Sequence, residues 1–115
     1  MKYSKFLWLV RKEMERRIRY YKENGVTTYF MCNAADTVHR QQDSQENYRR
    51  LISDVRGLLG GYGTVGQLLA EVYLYGGQWQ VIQFIRYFLR RLHNAALLEE
   101  KQQIQSLKGK KNECY

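Results

Sequence analysis

Apolar residues recur along most of this chain at intervals of three and four, which places them on one face of a helix. The longest such pattern runs from Gln78 to Leu107, after the Gly76-Gly77 pair and with no proline or glycine before Gly109. Val81, Ile85, Phe88, Leu92 and Ala95, widened by Ile82, Leu89 and Ala96, form an apolar arc that requires a packing partner. Gln80, Gln83, Tyr87, Arg90, Arg91 and Asn94 fall opposite it, within about one quadrant of the helix, with Phe84 intruding on the polar side. Beyond Leu98 the stripe thins to Ile104 and Leu107.

Earlier segments read the same way. Leu7, Val10, Met14, Ile18 and Tyr21 predict a first helix capped by Ser4 and running to about Asn24, where Gly25 can end it by adopting positive φ. Residues 26–42 are ambiguous: Val26 to Cys32 is rich in strand-forming residues, while Phe30, Met31, Ala34, Ala35 and Val38 match a helical stripe from near Thr28, the reading preferred here because a lone strand has no mate. Asp43 and Glu46 resemble a capping box for a helix whose Tyr48, Leu51, Ile52, Val55, Leu58 and Leu59 point one way. The glycine-dense GLLGGYGTVG then makes a turn, and Thr64 to Tyr75 reads as a short helix with Val65, Leu68, Leu69, Val72 and Tyr73 as its apolar face. The expected fold is therefore all-α: one small bundle of four or five helices over residues 1–107, the long helix packed on the first and third, and a basic tail over 108–115.

Charge adds a partner to this picture. The net charge of +8 favours an anionic surface, and it is uneven: residues 1–25 carry +5, 26–63 are neutral, 64–107 carry +1 and the last eight carry +2. On the first helix Lys12, Arg16 and Arg19 form a positive ridge that the i, i+4 pairs Glu13/Arg17 and Glu15/Arg19 only partly neutralise. The pair formed by the Thr64–Tyr75 helix and the helix from Gln78 has the order of a helix-turn-helix, in which the second helix meets DNA. Gln80, Gln83 and Tyr87, followed by Arg90 and Arg91, carry groups able to contact base edges and phosphates. The spacing of Tyr75-Gly76-Gly77 is unlike the usual turn.

Other chemistry finds little support. Gly61-Tyr62-Gly63-Thr64-Val65-Gly66 spells a dinucleotide fingerprint, but a helical pattern precedes it instead of a strand, and no acid lies between Glu71 and Glu99. A phosphate-binding loop also fails, since Gln67 stands where lysine is required. Cys32, Asp36 and His39 would share a helical face, yet a fourth metal ligand is missing and neither His39 nor His93 has a ligand spacing. Glu99 and Glu100 are adjacent and so do not face each other. Cys32 and Cys114 are too few for a disulfide framework, which points to reduced thiols in the cytoplasm. The run Phe6 to Val10 is too short to be a leader or a span.

The sequence thus predicts a cytoplasmic, non-enzymatic protein with no cofactor, metal or membrane partner. Its expected role is DNA-associated regulation, with duplex DNA favoured, through Lys12, Arg16, Arg19, Gln80, Gln83, Tyr87, Arg90 and Arg91. The alternative is an adaptor or inhibitor that binds a protein, in the manner of a phage factor acting on a host enzyme complex. Its ten tyrosines, several near ends or turns, are the feature that favours it.

Overall fold

The computed structural model describes residues 1–20, 30–59 and 65–113. Four helices account for nearly all of them: α1 (Tyr3–Tyr20), α2 (Phe30–Gln42), α3 (Gln45–Leu59) and α4 (Val65–Glu113). The chain is all-helical among the described residues, as its periodicity predicts. Helix α1 packs on α2 and α4, α2 on α3, and α3 on α4, so the four close a ring around one core. The predicted docking of the long helix on the first and third is present.

The core is built from the predicted stripes. Phe6, Leu7, Val10 and Met14 of α1 meet Met31, Ala34, Ala35 and Val38 of α2, Leu51 and Val55 of α3, and Leu69, Val81, Ile85, Leu89 and Ala96 of α4. The α4 arc is rotated slightly from the sequence reading. Leu89, at 0% exposure, lies at its centre, whereas Ala95 is exposed and Phe88 and Leu92 pack at its edge. Phe84 belongs to that edge too, stacked on Phe88 with ring centroids 6.2 Å apart, so it flanks the core and does not spoil the polar face. Tyr73, expected on the apolar face of the shorter segment, is 55% exposed.

Helix ends differ from the sequence reading in instructive ways. The first hydrogen bond of α1 runs from the Phe6 amide to the Lys2 carbonyl, so Ser4 lies inside the helix and is buried, not a cap. Its amide instead donates to Glu100 Oε1 at 3.3 Å, and α4 thereby satisfies a first-turn N–H that α1 cannot satisfy itself. Between α2 and α3, Asp43 takes φ 50° and the Ser44 amide bonds back to the His39 carbonyl at 3.1 Å, a Schellman closure of α2. Ser44 then starts α3, its carbonyl accepting from the Tyr48 amide at 3.0 Å. The start of α3 is therefore one residue later than the capping box expected of Asp43 and Glu46, because Asp43 serves the preceding helix. The predicted end of α1 at Asn24-Gly25, the segment Val26–Tyr29 and most of the glycine turn lie outside the described residues.

Helix α4 contains the break that the Gly76-Gly77 pair predicts, confined to one residue: Gly77 has φ 75° and ψ −169° while the helix continues on both sides. That combination is essentially closed to residues with a Cβ. At Gly76 the reason for glycine is space, since an added Cβ would sit 2.7 Å from Gln80 Cβ. Beyond the bundle α4 continues to Glu113, past the predicted helix end at Leu107, and sets the 61 Å length of the molecule. None of the described helices is long and apolar enough to cross a membrane.

Two substitutions probe this framework. Leu89→Ala is expected to lower unfolding stability by about 2–5 kcal/mol in urea titration, the range for truncating a fully buried leucine. Gly77→Ala is expected to cost about 1–3 kcal/mol, because alanine must either hold a strained backbone or straighten α4. No loss at Gly77 in the same titration contradicts the break.

Candidate nucleic-acid interface

Three polar contacts fix how α1 lies on α4. Ser4 meets Glu100, Arg11 Nη1 donates to His93 Nδ1 at 2.9 Å, and Arg86 makes two bonds to the Glu15 carboxylate at 2.8 and 2.9 Å. As positions rise along α1 they fall along α4, so the helices run antiparallel. Residues 8, 12, 15 and 19 then form one row on α1, and 83, 86, 87 and 90 form a facing row on α4.

Between the rows lies an open groove of about 550 Å³, lined by Trp8, Arg11, Lys12, Met14, Glu15, Arg19, Gln83, Arg86, Tyr87 and Arg90. Five cations and one carboxylate make its wall strongly positive. The carboxylate, Glu15, is engaged by Arg86 in a bidentate pair, so it neutralises one guanidinium and leaves Arg11, Lys12, Arg19 and Arg90 to set the field of the groove, the last three without a bond to the facing helix. Two half-exposed aromatic rings stand among them. Trp8 carries the Lys12 ammonium 4.0 Å and the Lys5 ammonium 4.5 Å from its ring centroid. Tyr87 has the guanidinium carbons of Arg90 and Arg91 at 5.8 and 5.7 Å.

Of the residues selected from sequence, Lys12, Arg19, Gln83, Tyr87 and Arg90 line this one groove. Arg16 does not; it is turned to Glu13, with bonds of 2.7 and 3.0 Å. Arg91 lies beside the groove and donates to the Tyr87 hydroxyl at 3.3 Å. Gln80 is exposed next to Gly76, away from the lining. Sequence reasoning did not select Trp8, Arg11, Glu15 or Arg86. For Trp8 a signal existed, since Lys5 and Lys12 stand three residues before and four after it, where helical neighbours touch. For Glu15 the local rule misleads: Arg19 is at the favourable spacing, but the carboxylate turns across the helix interface to Arg86.

Elsewhere several polar groups bond within the fold. Arg16 and Arg17 hold the Glu13 carboxylate below the usual range, chiefly through the Arg16 hydrogen bonds. Burial and a 2.8 Å bond to Asp54 push the Tyr3 hydroxyl far up. Burial raises the Cys32 thiol, and Asp36 is paired with Arg40 at 3.1 Å. Among the described residues no three His, Cys, Asp or Glu side chains stand where they could hold a metal ion. His39 stacks on Tyr48 at 5.3 Å with its Nδ1 buried and unbonded. No known protein family, characterised protein or solved structure matches the chain, so geometry alone carries the functional reading.

His93 links groove to pH. Burial, reinforced by Arg11 and opposed by Glu100, lowers its proton affinity. The neutral imidazole, which accepts from Arg11, is the folded form, so this contact contributes fully above the unfolded-chain value of 6.5 and is lost as pH falls below it. The urea midpoint is expected to drop between about pH 7 and pH 5.5. In His93→Gln, which keeps an acceptor without the titration, that drop is expected to shrink; an unchanged pH profile counts against the Arg11–His93 contact.

Proposed function

We propose that the protein is a small regulatory factor that associates with nucleic acid, DNA being the expected partner, and has no catalysis of its own. One observation carries the reading: α1 and α4 converge five cations on a single groove whose carboxylate is already paired. A phosphodiester backbone matches a row of cations spaced along two helices, because each contact releases condensed counterions and adds affinity without sequence dependence. The groove supports binding better than catalysis, since its acid is held as a salt bridge. Gln83, with its amide donor and acceptor, is the groove residue suited to a base edge. A cytoplasmic setting, where nucleic acid is met, belongs to the same proposal.

A helix-turn-helix use of the two α4 segments is the less favoured form. One residue, Gly77, separates them, whereas that motif uses a turn of about three or four. A second reading, binding to a protein, is favoured by a different observation. Beside the break, Tyr73, Leu74, Tyr75 and Trp79 are 55%, 83%, 89% and 66% exposed, a group of large apolar side chains that water solvates poorly.

Titrating labelled DNA at several salt concentrations tests the main reading. Affinity is expected to fall steeply with salt, and Lys12→Gln, Arg19→Gln and Arg90→Gln are each expected to reduce the slope by about 0.7–0.9. Arg40→Gln removes the same charge from α2, outside the groove, and is expected to leave the slope unchanged. Absence of binding at low salt overturns the proposal, and equal losses from Arg40 and the groove residues overturn the site.

A further inference from the structure

We infer that the groove takes an unpaired nucleic-acid strand, its phosphates on Lys12, Arg19 and Arg90 and its bases against Tyr87 and Trp8, and not the major groove of a duplex. The inference rests on the nucleic-acid reading above and names the form of the ligand.

Three features of the site lead there. The first is its concavity. A helix with its side chains is about 10–12 Å across and by itself fills a major groove about 12 Å wide. Helices α1 and α4 touch at the site, with Glu15 and Arg86 2.8 Å apart, so the pair is far too broad to enter together. Gln83, Tyr87 and Arg90 lie on the flank of α4 that faces the α1 row, inside the cleft and not on a free ridge. In this geometry the ligand enters the protein, and the protein does not enter the ligand.

The second feature is size. A groove of about 550 Å³ falls within the range that holds small ligands of a few rings, the scale of one or two nucleotides. A double helix can rest only on its rim. The third is the interleaving of rings and cations. Tyr87 is 50% and Trp8 38% exposed, large aromatic surfaces left at the groove although a core was within reach of both helices. Cations stand 4.0 to 5.8 Å from their centroids. A base that stacks on either ring takes the place of a flexible cation over its face, and the displaced cation meets the phosphate, the combination by which single strands are held without sequence preference. In a duplex the base faces are already stacked on one another and cannot use these rings.

The test uses the full chain and fluorescein-labelled oligonucleotides of twenty residues: oligo-dT, oligo-rU, and a mixed-sequence duplex, all at one salt concentration, with heparin as a polyanion that lacks bases. Both single strands are expected to bind at least tenfold more tightly than the duplex. Tyr87→Ala is expected to weaken single-strand binding by about ten- to a hundredfold. Its effect on heparin affinity is expected to be less than twofold, a contrast that simple misfolding of the variant would not produce. Tyr87→Phe, which keeps the ring, is expected to recover most of the loss. Duplex binding equal to or tighter than single-strand binding overturns the inference while leaving the nucleic-acid reading intact. Equal losses of oligonucleotide and heparin in Tyr87→Ala overturn the stacking role. If none of the oligonucleotides binds at low salt, the proposed function itself fails.

Discussion

The antiparallel contact of α1 with α4 sustains the basic surface. Phe6, Leu7, Val10 and Met14 share one core with Val81, Ile85 and Leu89, and their burial sets the distance between two helices that are each rich in arginine. Burying side chains of this size contributes about 1.5–3 kcal/mol each, which is non-directional and indifferent to salt. Repulsion between solvent-facing cations is weaker and screened over about 8–10 Å at ordinary ionic strength. The hydrophobic term therefore decides the geometry, and the charges accept the positions it gives them.

Polar contacts then refine what packing sets roughly. Glu15 crosses to Arg86, Arg11 rests on a neutral His93, and Glu100 receives the Ser4 amide. Each joins α1 to α4 at a different height, so the helices cannot slide past one another without breaking a partly buried bond. Two of the five groove cations, Arg11 and Arg86, are used as fasteners in this way. The remaining three, Lys12, Arg19 and Arg90, line the groove without such a bond to the facing helix. A division between cations that build a site and cations that serve it is a physical distinction, and it separates residues whose loss deforms the protein from those whose loss weakens a ligand.

Much of the architecture was legible from periodicity, because a stripe at helical spacing has few solutions other than burial. The α1 stripe from Leu7 to Met14 is buried as its spacing requires, as are Val81, Ile82, Ile85, Leu89 and Ala96 of the α4 arc, though not Ala95, and Gly76-Gly77 marks a break. Local electrostatic rules were less informative. Glu13 does bond Arg17 at the expected spacing, yet Glu15 ignores Arg19, since a pair formed across a partly desolvated interface gains more than one on an exposed turn. Helix caps went astray for a similar reason: Asp43 and Ser44 are both good capping residues, and which helix each serves depends on the chain on either side. Arg11 and Arg86 had no signal at all, as their partners lie on another helix. Lys12 and Arg90 were found because exposure and charge follow from the face of the helix, which the sequence reveals, although nothing local says that the two faces oppose each other.

The fasteners between α1 and α4 span 96, 82 and 71 positions of chain. Each must close a loop of well over half the chain before it gives anything back. During synthesis at about 5–20 residues per second, α2 follows α1 closely and covers part of its apolar stripe, while the side that meets Val81, Ile85 and Leu89 is covered only some sixty residues after α1 ends. A groove whose two walls stand some seventy positions apart in the chain is absent until both helices have been made and packed.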